Sequence, residues 1–215
     1  RQGFVTSNSL SESDLKEKAR EVQMVARLSP PSAFHGIAPK QETCGHFELV
    51  DRELHETQPK QLLEWLRLLV ETAKADHRVA LDRAEISLSH SLRILQNSEG
   101  NIQTMKQTTC GWYLMGMARD GEQVTSFDYD GNYAGRFSEV EGLIERTATD
   151  FSSSVLHSLN PESAKSYKGK ALLHPAAVGS LLLGVIGFNV NARSQQDGMS
   201  QWKDAFEKAV AASVL

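Results

Sequence analysis

The stretch Val79-Ala-Leu-Asp-Arg-Ala-Glu-Ile-Ser-Leu-Ser-His-Ser-Leu-Arg-Ile-Leu-Gln-Asn-Ser-Glu-Gly100 decides the fold. Within it the apolar residues recur every second position: Ala84, Ile86 and Leu88 alternate with Glu85, Ser87 and Ser89. Successive side chains of a strand point to opposite faces, so this spacing predicts a strand with one buried and one polar face. Leu92 to Leu95 continues it, and Asn97-Ser98-Glu99-Gly100 predicts a hairpin turn. Further strands are predicted over about 101–109, 110–118 and, after the turn Arg119-Asp120-Gly121-Glu122, 123–129. Links this short cannot hold crossover helices, so the strands form an antiparallel meander. Asp130-Gly131-Asn132-Tyr133-Ala134-Gly135 reads as a loop.

Helical patterns flank the meander. Ser11 is placed to cap a first helix, with Asp14 three residues on and a stripe of Leu15, Ala19, Val22, Val25 and Ala26; Ser29-Pro30-Pro31 ends it. Residues 29–56 read as irregular. A second helix is expected with Thr57 as cap, Pro59 in the first turn, and Leu62, Leu66, Leu69, Val70 and Ala73 facing inward. Ser138 and Glu141 predict a capping box for a helix running to about Leu159, stopped by Asn160-Pro161. The class is therefore α+β, an antiparallel β-meander with helices packed on one face, over about 1–160. Residues 161–215 read as the beginning of a second, mainly β domain: a strand at Lys168–Leu173, then a helix opened by Pro175 that is apolar on almost every face. Such a helix is expected to be buried. Little sequence follows it here, so the chain is expected to be part of something larger.

Composition narrows the function classes. Hydrophobic residues make up 40% and charged residues 23% of 215, ordinary values for a globular protein. The net charge of -4 argues against direct nucleic-acid binding. The longest apolar run, Ala171 to Phe188, is interrupted by His174, Pro175 and three glycines, so no membrane span is expected. The opening residues do not read as a secretory leader. Two cysteines are too few for a disulfide framework, and a reducing cytoplasm is the expected setting.

After His55-Glu56 come Thr57, Gln58, Pro59 and Lys60, so no second histidine follows one turn later as a zinc-peptidase helix requires. Cys44, His46 and His55 remain as an alternative cluster, against the simpler reading of polar loop residues facing water. His77, His90 and His157 stand alone, and His174 is placed to cap the last helix. Cys110 lies in an apolar strand, where a buried thiol is inert. Asp128/Asp130 and Glu139/Glu141 read as turn and capping residues, and Trp112, Tyr113 and Phe127 as core or interface. There is no Gly-x-Ser-x-Gly elbow and no phosphate loop.

Three segments carry a resemblance. Gly3-Phe4-Val5-Thr6-Ser7-Asn8 leads into a Leu-Ser-Glu helix start; a strand ends in Asn97-Ser98-Glu99-Gly100; and the unit from Tyr167 through Gly187 is followed by Trp202-Lys203-Asp204 and Val210-Ala211-Ala212-Ser213. In this order they resemble the TldD/PmbA family, whose members are roughly twice as long. The resemblance implies a cytoplasmic protease of two paired subunits that acts on flexible peptides, in a family also described as modulators of DNA gyrase. The TldD-type subunit holds zinc with a His-Glu-x-x-x-His helix and a later Cys. Aligned on the apolar helix, those three positions fall at Leu183, Gly184 and Phe188, degenerate metal-site positions without a ligand or a base. The resemblance thus implies a PmbA (TldE)-type subunit with no catalytic residue and no metal of its own. Zinc is expected in a TldD-like partner, and the expected associations are that subunit or a homodimer, with a peptide substrate. Two other functions stay open: a peptidase with a different site, such as Cys44 and His46, and a regulatory module that binds gyrase or another protein.

Overall fold

The computed structural model describes residues 1–31, 36–41, 45–163 and 165–210. The chain divides into two compact units, Ile37–Ala164 and Arg1–Gly36 with Lys165–Leu215. The expected boundary at 160/161 lies beside the Ala164/Lys165 division, while the first helix groups with the C-terminal segment.

The larger unit is built on a five-stranded sheet, mostly antiparallel, as the alternation predicts. Strands β2 (Val79–Gln96) and β3 (Ile102–Asp120) form one long hairpin across Asn97–Asn101. Asn97 Oδ1 accepts from the backbone N–H groups of Glu99 and Asn101 at 3.1 Å each, and Gly100 takes φ +86°, a left-handed conformation that glycine adopts freely. The strands expected at 101–109 and 110–118 are one continuous strand. Thr108 and Thr109 favour extended backbone at the supposed break, and β2 pairs across it without interruption.

The other edge of β3 carries three short strands. β1 (His46–Leu49) pairs parallel with Thr104–Gln107. β4 (Gln123–Val124) is all that forms of the strand expected at 123–129. β5 (Asp128–Ala134) occupies most of the expected loop and pairs with Cys110–Gly116. Its Asp, Gly and Asn residues are poor strand formers, but pairing partners and packing override such preferences. Gly131 is suited to the place, since a Cβ there would stand 2.8 Å from the Trp112 carbonyl oxygen. Residues 29–56, expected to be irregular, also contain β1 and a short helix, α2 (Arg52–His55). Asp51 caps α2 by accepting from Leu54 N at 2.8 Å.

Two helices cover one face of the sheet. α3 (Pro59–Ala73) buries Trp65, Leu69 and Ala73, with Leu62 and Leu66 partly buried. Its cap position is Gln58, not Thr57, whose hydroxyl donates to Glu53 O at 2.9 Å. α4 (Phe137–His157) buries Val140, Ile144, Thr147, Ala148, Phe151 and Val155, a stripe at helical spacing. The expected Ser138/Glu141 box does not form: Arg136 holds the cap position, and Glu141 instead accepts from Trp65 Nε1 at 3.2 Å. Beneath the helices, β3 turns Thr108, Cys110, Trp112, Leu114 and Ala118 into the core. Trp112 Nε1 donates to Thr147 Oγ1 at 3.1 Å, which settles its one polar atom inside the core.

In the other unit, α1 (Glu12–Leu28) begins as predicted, with Ser11 Oγ accepting from Asp14 N at 3.3 Å. None of its residues is fully buried. Residues 168–173 are not a strand; the described part of the C-terminal segment holds only helices and turns. These are α5 (Pro175–Val178), a π-helical turn (Gly179–Leu183), α6 (Gly184–Val190) and α7 (Ala192–Gln196). The expectation of a buried apolar helix is not met: Leu181, Leu182, Leu183, Val185, Ile186 and Phe188 are all exposed. The described chain places too few apolar neighbours around them to cover a helix that is apolar on nearly every side.

Candidate functional site

The apolar helix is one continuous rod of three pitches, α–π–α, with glycines at 179 and 184 opening its second and third sections. Leu183 closes the π-helical turn and Gly184 opens α6. In α-helical geometry, side chains five residues apart diverge by roughly 140°. Leu183 and Phe188 therefore leave the rod in different directions, at 63% and 49% exposure. Neither side chain has an oxygen, nitrogen or sulfur atom, and Gly184 has no side chain at all. These residues do not fit a zinc ion.

Just past Phe188 the helix ends in a polar clasp that sequence spacing did not reveal. Asn189 is buried at 3% exposure, and its Nδ2 donates to Val185 O at 3.0 Å. Its Oδ1 accepts from Gln201 N at 2.7 Å, and its carbonyl accepts from Ser200 Oγ at 2.8 Å and Gln195 Nε2 at 2.7 Å. Gly198, at φ +71°, turns the chain so that Ser200 and Gln201 reach back to α6. Asn189 and Ser200 stand 11 residues apart with no local pattern linking them, so only their pairing in space marks them.

Of the alternative cluster, His46 and His55 are set apart along the sheet. Cys44 lies outside the described residues. His46 is on β1, its Nδ1 against Thr104 Oγ1. His55, on α2, has its ring 4.3 Å from that of His90, which pairs with Thr108. Thr104 and Thr108 are four residues apart on β3, roughly 13 Å along a strand. Among the described residues, no group of three or more His, Cys, Asp or Glu side chains is disposed to hold a metal ion.

The remaining candidates resolve into structural roles. The expected Trp112/Tyr113/Phe127 set is split: Trp112 faces the core, Tyr113 is on the opposite face beside Tyr129 at 6.2 Å between ring centroids, and Phe127 lies outside the strands, 56% exposed. Asp128 and Asp130 are strand residues rather than turn residues, and Asp128 accepts from Ser154 Oγ on α4 at 2.7 Å. Burial raises the Asp130 carboxyl from its ordinary value. Cys110 is fully buried, and burial pushes its thiol up to about 11. At pH 8 roughly one such thiol in a thousand is ionised. In a Cys44→Ser background, Cys110 is expected to resist a thiol-specific reagent until denaturant is added. Rapid labelling of the folded protein would contradict this burial.

No family model and no curated protein matches the chain. Solved structures do. A candidate modulator of DNA gyrase from Bacteroides thetaiotaomicron superposes with a TM-score of 0.78 at 17% identity, over 98% of this chain and 48% of its own. One from Thermotoga maritima gives a TM-score of 0.61 at 14% identity, over 94% and 45%. TldE from Thermococcus kodakarensis gives 0.54 at 22% identity, over 69% and 34%. The fold expected from the TldD/PmbA resemblance is thus the fold found. The chain spans about a third to a half of the length of these proteins.

Proposed function

We propose that this chain, sharing its fold with part of TldE and of the gyrase-modulator candidates, belongs to a PmbA/TldE-type subunit. In this reading it has no catalytic site of its own and pairs with a zinc-bearing TldD-like subunit in a cytoplasmic complex that processes flexible peptides. What supports it is that fold together with Leu183, Gly184 and Phe188, the residues that the family resemblance aligns with the metal ligands and base. A leucine and a phenylalanine supply no electron pair to a metal, and a glycine moves no proton. What the chain itself contributes is a scaffold: a helix–sheet body and exposed strand edges on which an extended peptide can lie by backbone pairing.

The test is metal content joined to reconstitution. The purified protein is expected to hold no stoichiometric zinc, to be inactive on an unstructured peptide alone, and to support chelator-sensitive cleavage once a His-Glu-x-x-x-His partner is added. Stoichiometric zinc in the isolated protein, or chelator-insensitive cleavage lost on Cys44→Ser, would overturn the proposal. The gyrase-modulator designation of two similar structures favours a second reading, a regulatory protein-binding module. Capture of gyrase with no TldD-like subunit would select it.

A further inference from the structure

Over Asn101–Thr108, the edge of β3 that faces away from β2 is covered by the chain itself, and the cover is lightly held. At the hairpin tip, Asn101 Nδ2 donates to Ala38 O at 3.1 Å and to Pro39 O at 3.0 Å, and its Oδ1 accepts from Gln41 N at 2.7 Å. Asn97 Nδ2 donates to Ala38 O at 2.9 Å. Farther along, β1 pairs with Thr104–Gln107, and Asp51 N donates to Thr108 Oγ1 at 3.0 Å. The tip latch consists of exposed amide side chains bonded to backbone, where water competes for every bond. β1 has only four residues, pairs in the weaker parallel sense, and adds no side chain to the hydrophobic core. The firm anchor comes after it, at Leu54 on α2, which is fully buried. β1 and the latch can therefore lift as far as Asp51 while the core stays closed.

We propose that β1 is an exchangeable strand, which gives way to an extended peptide that pairs with β3 along Asn101–Thr108. What β1 itself presents defines the guest. In register, Glu48 stands opposite Lys106, an acid facing a base. Phe47 and Leu49 stand opposite Met105 and Gln107, on the other face of the sheet. The guest is thus a peptide with an acidic residue between two apolar ones, the acid set against Lys106. Asn97 and Asn101 touch only backbone atoms of Ala38, Pro39 and Gln41, so the tip adds grip without reading side chains. β5, farther along the same side of β3, does not offer such a place. The N–H groups of Tyr129, Gly131 and Tyr133 already donate to the side-chain oxygens of Asp128, Asp130 and Asn132, at 2.9, 2.7 and 2.9 Å, which blunts its outer edge. The proposal rests on the reading of this chain as one that handles flexible peptides, but it involves neither zinc nor cleavage.

The probe is a fluorescein-labelled synthetic peptide with the sequence of Gly45–Val50, titrated by anisotropy against the full chain in a Cys44→Ser background. It is expected to bind. Asn101→Ala removes three of the four latch bonds and is expected to tighten binding by about tenfold, because the open form becomes more populated. The same variant is expected to speed trypsin cleavage of the Lys40–Gln41 bond by about tenfold, with cleavage after Lys170 as the unchanged reference. A peptide carrying Glu48→Lys is expected to bind about tenfold more weakly, and Lys106→Glu in the protein to reverse that preference. A covalent lock tests the exchange itself. With Phe47→Cys and Met105→Cys, opposite one another in register, oxidation is expected to abolish binding and reduction to restore it. Circular dichroism and thermal melting check that each variant is folded. No binding by either the parent or Asn101→Ala overturns the proposal. So does binding indifferent to the charge exchange, or binding that persists under the lock. Loss of peptide binding with partner-dependent cleavage intact would strike this proposal alone, and lock-sensitive binding without such cleavage would strike only the metallopeptidase reading.

Discussion

Trp65→Ala is expected to destabilise the chain by about 3–5 kcal/mol, the range for removing a buried large aromatic residue. Trp65 is 1% exposed, in contact with the Phe137 ring at 5.2 Å between centroids, and it joins α3 to α4 through its bond to Glu141. Most of the loss comes from the cavity. Glu141 is on the surface and turns to water when the indole is gone, so little is added for a stranded acceptor. Trp65→Phe retains much of the packing and is expected to cost far less, and the difference between the two variants separates volume from the hydrogen bond. Urea unfolding followed by circular dichroism measures both. A loss under about 1 kcal/mol for Trp65→Ala would show that α3 does not pack on α4 in this way.

Gly116→Val is expected to cost several kcal/mol through the opposite effect, overpacking. A Cβ at Gly116 would stand 2.4 Å from Ala80 O and 3.0 Å from Leu81 Cα, both backbone atoms of β2. Backbone in the middle of a paired strand cannot swing aside as a side-chain tip can. The site adjoins the irregularity between Leu81 and Arg83, which brings β2 close over Gly116. Gly142→Val is the control: it sits on α4, where a Cβ meets nothing within 4 Å. It is expected to leave the unfolding midpoint nearly unchanged, while Gly116→Val lowers it markedly or prevents folding.

The two residues differ in how visible they are in the sequence. Trp65 lies on the stripe of Leu62, Leu66 and Leu69, so helical spacing alone points it inward. Gly116 looks like any glycine beside a turn, because the crowding comes from a strand some 35 residues earlier in the chain. The same divide runs through the candidate sites. Leu183, Gly184 and Phe188 lack metal-binding chemistry whatever surrounds them, which the letters alone establish. The clasp of Asn189, Gln195 and Ser200 has no local pattern and exists only because Gly198 turns the chain back on itself.

Period-two alternation, the hairpin turn at Asn97–Gly100 and the helical stripes were legible because each depends on neighbours a few residues away. They determined the α+β class, the long antiparallel hairpin and the helices that cover it. The continuity of β3, the parallel pairing of β1 and the conversion of Asp128–Ala134 from loop to strand were decided by tertiary structure. In each case a distant strand supplied the hydrogen bonds, and residues with little strand preference of their own followed it. The exposure of Leu183 and Phe188 is also tertiary. Sequence dictates that the helix is apolar, but burial depends on the atoms that other parts of the fold bring beside it.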